Sequence, residues 1–369
     1  MRTTPTVALE TMLGLLPLHI YIQKEAAATA LRLKNLNLWT SFSSPHKRIY
    51  DNMISKLPML EAPIDQIPKT MIFWKDYAIS LTEDPKEGLD QTKLRIFTDG
   101  SKTNTGTGCG VFSEDLNIHI SKPLGEYNTV FQAECVGIIE ACNAITRRKV
   151  KHENILILSD SKSVLQALGS DKLTSELILE CHRRLTEVSK EGNKVTIQWI
   201  KGHSGSRGND AADELARKGS ETPAYGPEPI IPLPISYIHN QLDLHHRQLH
   251  NKYWNEMDTC RQTIDILPEL NYKLTKILLK TPRQQLRKII GLITGHNTLN
   301  KHLHNMGKTD SPLCRACMEE EETTKHILLE CKQVETYRNK YLGTPSTLKE
   351  AVSNLKTLLG FMEELGWLE

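Results

Sequence analysis

Four acidic residues stand where a carboxylate can do chemistry. In LRIFTDGS (residues 94–101) an alternating, β-branched run ends at Asp99, followed by Gly100 and Ser101. Such a strand delivers its carboxylate to the sheet edge, where the chain turns. ILILSDS (155–161) repeats the setting, with Asp160 closing a near-continuous apolar run of the kind buried on both faces of a sheet. Glu134 falls in the first turns of a helical stretch, TVFQAECVGIIEACNAITRR, and Asp213 in another, NDAADELARKGS. Singly, each has an ordinary explanation: Asp99 and Asp160 as turn formers or helix caps, Glu134 and Asp213 as solvent-facing acids. If the two strands lie side by side, however, all four carboxylates converge. Like charges that close raise one another's pKa, so such a cluster is natural only with cations among them. Hard oxygen ligands with room for water and a phosphate suit Mg2+, and two ions about 3.5–4 Å apart suit phosphodiester hydrolysis. Ahead of the Asp213 helix, Gly202 and Gly205 bracket His203 in a loop. A histidine beside four acids is placed to shuttle protons.

The elements that must position these residues form an α/β domain over residues 91–221. Its order, β-β-β-α-β-α-α-β-α, implies a mixed sheet: an antiparallel meander, then parallel strands joined by right-handed crossovers. The two short runs around residues 113–115 read as a hairpin, and Gly106, Gly108 and Gly110 suit a strand closely approached by another backbone or by a ligand. Before this domain, residues 1–40 read as helices and 41–90, with Pro45, Pro58, Pro63, Pro68 and Pro85, as a linker. After it, 222–236 is a proline-rich linker and 237–369 is mostly helical. There Lys273, Lys276, Lys280, Arg283, Arg287 and Lys288 make either a solvated face or a nucleic-acid contact.

With 369 residues the chain has room for two or three domains, and a 39% hydrophobic, 24% charged composition is that of an ordinary soluble protein. A net charge of +2 demands no polyanionic partner globally and excludes none locally. The apolar run at 12–22 imitates a secretory signal, but Glu10, Pro17 and His19 interrupt that pattern. Cys109, Cys135, Cys142, Cys181 and Cys260 scatter through apolar or helical patterns, as free thiols of a reducing, intracellular compartment do. No stretch reaches the ~20 apolar residues of a membrane helix, and a monomer without membrane contact is expected.

The last cysteines are different. Cys314-x2-Cys317-x8-His326-x4-Cys331 offers four soft ligands for a tetrahedral structural Zn2+, with free thiols as the alternative. The x8 gap is longer than that of a nucleocapsid-type knuckle, and His302 and His304 read as surface histidines.

TDGS (98–101), FQAE (131–134), LSDS (158–161) and GHSGSRGNDAADELA (202–216) match, in order, the motifs of the type 1 ribonuclease H family, which the chain resembles over about 125 residues. The resemblance implies a ribonuclease H-like mixed five-stranded sheet flanked by helices, with helical N- and C-terminal flanking regions. It implies that Asp99, Glu134, Asp160 and Asp213 hold two Mg2+ ions, with Mn2+ as a substitute, and that His203 assists turnover. Aligned from the histidine, the fourth acid is Asp213, with Asp210 three residues earlier as its neighbour; Asn209, Gly100 and Ser101 fall near the substrate. The reaction implied is endonucleolytic cleavage of the RNA strand of an RNA/DNA hybrid, leaving 5'-phosphate and 3'-hydroxyl ends. The basic, Trp-rich insertion some members use to grip the hybrid is missing, which implies weak affinity. The tail, with TGHNTLNKHLHNMG (294–307), and the opening PTVALETMLGLLPLHIYI resemble the downstream part of insect-type non-LTR retrotransposon polyproteins. That resemblance implies a reverse transcriptase as partner in cis or in trans; the chain has no YxDD-type polymerase motif and is not expected to synthesise DNA. The competing expectation is a catalytically idle nucleic-acid-binding fragment of a decayed element.

Overall fold

The computed structural model describes residues 4–39, 45–82, 93–202 and 205–367. It divides into two compact units, Ala26–Leu242 and the pair Met1–Glu25 with Asp243–Glu369. The divisions fall inside α2 (Leu18–Asn35) and α8 (Ile235–Asn255), the first helix of the chain being α1 (Thr6–Leu13).

In the unit Ala26–Leu242 the expected α/β architecture is present. The elements are α3 (Pro45–Lys56), β1 (Thr70–Met71), β2 (Ala78–Ser80), β3 (Lys93–Lys102), β4 (Thr107–Ser113), β5 (Ile118–Gly125), α4 (Val130–Arg147), β6 (Asn154–Ser159), α5 (Lys162–Gly169), β7 (Lys172–Leu173), α6 (Glu176–Lys190), β8 (Lys194–Trp199) and α7 (Arg207–Glu221). The main sheet runs β2-β8-β6-β3-β4-β5. β3, β4 and β5 form the antiparallel meander, while β6 pairs parallel with β3 and β8 parallel with β6. Alternation sorts the strands' side chains. Ile96, Ile155, Ile157, Val195 and Ile197 pack with α4, α5 and α6, while Leu156, Leu158, Ile200 and Phe97 form a smaller cluster. α7 closes on the Phe97 side, where Gly208 meets the Phe97 ring.

Residues 93–199 supply the five strands expected, and a sixth is added where Ala78–Ser80 pairs parallel with the outer edge of β8. The stretch 41–90 is therefore more than a linker: Asp65 accepts hydrogen bonds from Leu177 N and Ser175 Oγ at the start of α6, and β1 pairs with β7. The proline-rich stretch is also tied down, through Asp65 N to Leu233 O and Leu233 N to Pro63 O (both 2.8 Å). A three-residue strand carries too little periodicity to be seen in sequence; it forms because the β8 edge has unpaired backbone groups to satisfy.

The other unit is helical: α9 (Arg261–Ile266), α10 (Tyr272–Lys280), α11 (Arg283–Thr294), α12 (Asn300–Asn305), α13 (Glu335–Leu342), α14 (Leu348–Ala351) and α15 (Leu355–Leu365). With α1 they enclose a core around Trp254 and Phe361, which also takes in Cys314 and Cys331. The Trp254 indole N–H is spent on Leu267 O at 2.7 Å. Among the described residues no helix is long and apolar enough to cross a membrane.

Candidate active site and zinc centre

The parallel register Phe97↔Leu158, Thr98↔Ser159 leaves the next residues of the two strands, Asp99 and Asp160, side by side at one edge of the sheet. Glu134 arrives from α4, whose start is set by a capping box: Thr129 accepts from Gln132 N, and Gln132 answers to Thr129 N. Carboxylate oxygens of Asp99, Glu134 and Asp160 all lie within 4.8 Å of one another. Asp213, from α7, hydrogen-bonds the Asp99 carboxyl but lies outside that trio; Asp210 is exposed.

Local packing makes this approach possible. A Cβ on Gly100 would sit 2.7 Å from Glu134 N, so only glycine lets α4 lie this close, and the Gly100 N–H donates to the Glu134 carboxylate. Ser159 Oγ donates to Glu134 Oε2 at 3.5 Å, a support the sequence patterns did not flag although Ser159 belongs to the LSDS motif. On the opposite side of the sheet Gly110, cross-strand from Asp99, faces α7, and a Cβ there would run into the Ala212 carbonyl oxygen and Ala216 N. The glycines of β4 thus admit a helix backbone. Gly110→Ala would push α7 off the sheet and carry Asp213 away from Asp99. We expect a loss of about 10- to 100-fold in activity and a lower Tm, measured by turnover and thermal melting.

The cluster is charged at high cost. Asp99 is 6% exposed and Glu134 4%. Burial, then the neighbouring charges of Asp160 and Asp213, pushes the Asp99 carboxyl up to about 7; burial and then Asp99 and Asp160 push Glu134 well above its ordinary range. An all-oxygen donor set that resists being anionic alone fits hard divalent cations, and Mg2+ or Mn2+ matches it. Gly202 packs against Asp160 Oδ2. His203 itself lies outside the described residues. Asn209 is buried on α7 with its Oδ1 lacking a hydrogen-bond partner among the described residues, and Ser101 is half-buried near the end of β3. Only residues 170–175 connect α5 to α6, so there is no gripping insertion at that point.

In the helical unit Cys314, Cys317, His326 and Cys331 offer ligand atoms within 4.8 Å of one another. Cys314 Sγ and Cys331 Sγ are 3.9 Å apart and Cys317 Sγ and His326 Nε2 3.4 Å. A tetrahedron with Zn–S of about 2.3 Å and Zn–N of about 2.0 Å has S–S and S–N edges of about 3.8 and 3.5 Å, so these residues fit Zn2+. Backbone N–H groups of Glu319 and Glu320, with His326, hold the Cys317 thiol down to about 6, whereas burial pushes Cys314 up to about 11. A soft cation resolves that conflict, since it favours every thiolate. The buried Arg338 guanidinium donates to Cys331 O at 2.8 Å and fixes the last ligand's backbone. His302 rests against His296 and is not one of the four gathered ligands.

The ribonuclease H family model matches residues 91–221. The chain is 29% identical over 158 residues to the ribonuclease H of Saccharomyces cerevisiae, covering 34% of this chain and 45% of that protein. It is 38% identical over 53 residues, 14% of this chain and 13% of the other, to the Retrovirus-related Pol polyprotein from type-1 retrotransposable element R1 2 of Nasonia vitripennis. The chain thus spans less than half the length of both relatives. Among solved structures, the N-terminal RNase H domain of rv2228c from Mycobacterium tuberculosis, fused to maltose-binding protein, aligns at 21% identity and TM-score 0.28, over 35% of this chain and 98% of that one. The matched segment runs from β3 through α7, so the part of the chain that is similar to the ribonuclease H family contains the whole acidic cluster.

Proposed function

We propose that this chain hydrolyses the RNA strand of RNA/DNA hybrids at the Asp99–Glu134–Asp160–Asp213 cluster. The observation that carries this reading is the trio of carboxylates within 4.8 Å, with Asp213 on Asp99. Asp99, together with Asp213 on one side and with Glu134 and Asp160 on the other, would hold two Mg2+ or Mn2+ ions. When bound, such a pair supplies an activated water and neutralises the leaving oxygen. Asp99 and Glu134, both disfavoured as anions when alone, would give up their protons as the cations bind. Gly100 and Ser159 keep Glu134 aimed inward, and His203 would carry a proton between the site and solvent. Substrate choice would rest on the 2'-hydroxyl, the group that separates RNA from DNA. The products would end in 5'-phosphate and 3'-hydroxyl groups.

The 53-residue similarity to a retrotransposable-element polyprotein supports reading the chain as the downstream part of such a polyprotein, acting with a reverse transcriptase in cis or in trans. The idle-fragment alternative is disfavoured by the retention of all four acids.

The test is cleavage of an end-labelled RNA/DNA hybrid by the full chain with Mg2+ or Mn2+. Double-stranded DNA and free RNA serve as controls. We expect cuts in the hybrid's RNA strand only, with a high KM because the gripping insertion is missing. An intact hybrid under both metals would overturn the assignment.

A further inference from the structure

Between residues 272 and 294, α10 and α11 carry six basic side chains and no acidic one. Elsewhere in the same unit four lysines have a carboxylate beside them: Lys252 pairs with Glu256, Lys301 with Glu321, Lys325 with Glu330 and Lys340 with Glu364. Lys273, Lys276, Lys280, Arg283, Arg287 and Lys288 make no ion pair or side-chain hydrogen bond among the described residues. Six like charges without a counter-charge repel one another, and a polyanion relieves that repulsion.

Their arrangement is ordered. Thr275 and Leu278 of α10 and Ile289, Ile290, Leu292 and Ile293 of α11 point into the core, so the lysine and arginine columns are held on the outside of anchored helices. Lys273 and Lys280 are about 10 Å apart along the axis of α10, and Arg283 and Arg287 lie one turn apart on α11. At the start of α10, Tyr272 is half-exposed with the Arg247 guanidinium 4.8 Å from its ring centre, a flat edge on which a base can stack. Ile277 and Leu279 are 52% and 68% exposed, but they are interleaved with the lysines. A helix lying in a lipid interface needs a segregated apolar face, and the apolar face of α10 is already spent on the protein core.

We propose that this face of α10 and α11 is a second nucleic-acid site, which binds the phosphate backbone without regard to sequence. It would supply the affinity that the ribonuclease H domain, lacking a gripping insertion, does not. Binding here does not depend on the cleavage reading.

The experiment uses the full chain carrying Asp99→Asn, which cannot consume the probe, and a fluorescent RNA/DNA hybrid of about 20 base pairs. Anisotropy is followed from roughly 50 to 200 mM salt, with and without Lys276→Gln, Lys280→Gln and Arg287→Gln together. All three side chains are solvent-facing, and circular dichroism checks the fold. The triple variant should bind at least about tenfold more weakly, and its plot of log K against log salt should be shallower by roughly two to three. An unchanged affinity and slope would overturn the proposal. So would unchanged hybrid binding with lost binding to phosphatidylserine vesicles, which would make the face a lipid surface. If the wild-type chain binds the hybrid here and never cuts it, the cleavage reading fails and this one stands.

Discussion

Asp99→Asn should abolish hybrid cleavage and at the same time stabilise the metal-free protein. The loss of rate, roughly 10^3-fold or more, follows from removing the carboxylate of the trio that also meets Asp213, which on the proposed reading would help to hold both cations. The gain in stability follows from linkage. The folded state holds the Asp99 proton up to about pH 7, whereas in the unfolded chain the group titrates near its ordinary value of 3.8. Between those values the unfolded state binds fewer protons, so metal-free stability falls as pH rises from about 4 to about 7. At 1.36 kcal/mol per unit the penalty reaches on the order of 4 kcal/mol at most, and Glu134 acts in the same direction. Asparagine removes this charge. Thermal melts in chelator should therefore show the wild type losing Tm between pH 4 and 7, with a flatter curve for Asp99→Asn. Mg2+ should recover wild-type Tm most strongly at and above neutral pH. A variant that still cuts hybrid, or a wild type whose metal-free Tm ignores pH over this range, would remove the physical basis of the site.

Stripping zinc, or replacing Cys331 by serine, should unfold the helical unit. The ligands Cys314 and Cys331 belong to the same core as Trp254 and Phe361, so no separable flap exists to be lost. Structural zinc contributes about 10–16 kcal/mol in apparent binding, at least as much as the whole stability of a typical domain. Metal analysis should give one zinc per chain for the wild type and none for Cys331→Ser. Circular dichroism should show helix lost on adding chelator and regained on returning zinc. Metal-free protein with full helical signal would show that the four ligands are held by packing alone.

The acidic cluster was legible because each acid sits in a local pattern that a single stretch can carry. A β-branched run ending in TDGS, a continuous apolar run ending in LSDS and two amphipathic helices are all properties of neighbouring residues. The CxxC turn with its His and Cys is equally local, and its ligands are gathered. Legibility failed where the partner is far along the chain. Nothing within Ala78–Ser80 says that the edge of β8 will accept it, and nothing around Asp65 says that it will cap a helix more than a hundred residues away. Gly108 and Gly110 announced a close approach, yet whether a ligand or a backbone would fill it depended on where α7 came to rest.

The choice between Asp210 and Asp213 shows the same division. Three residues apart on one helix, they share a face by pattern, and only the docking of α7 against β3 and β4 brings one, half-buried, to Asp99 and leaves the other in solvent. Residue order therefore dictated which chemical groups are present and the short elements that carry them. Strand register and helix docking, which sum weak contacts between distant stretches, decided which groups share a volume and which cations on α10 and α11 have no partner among the described residues.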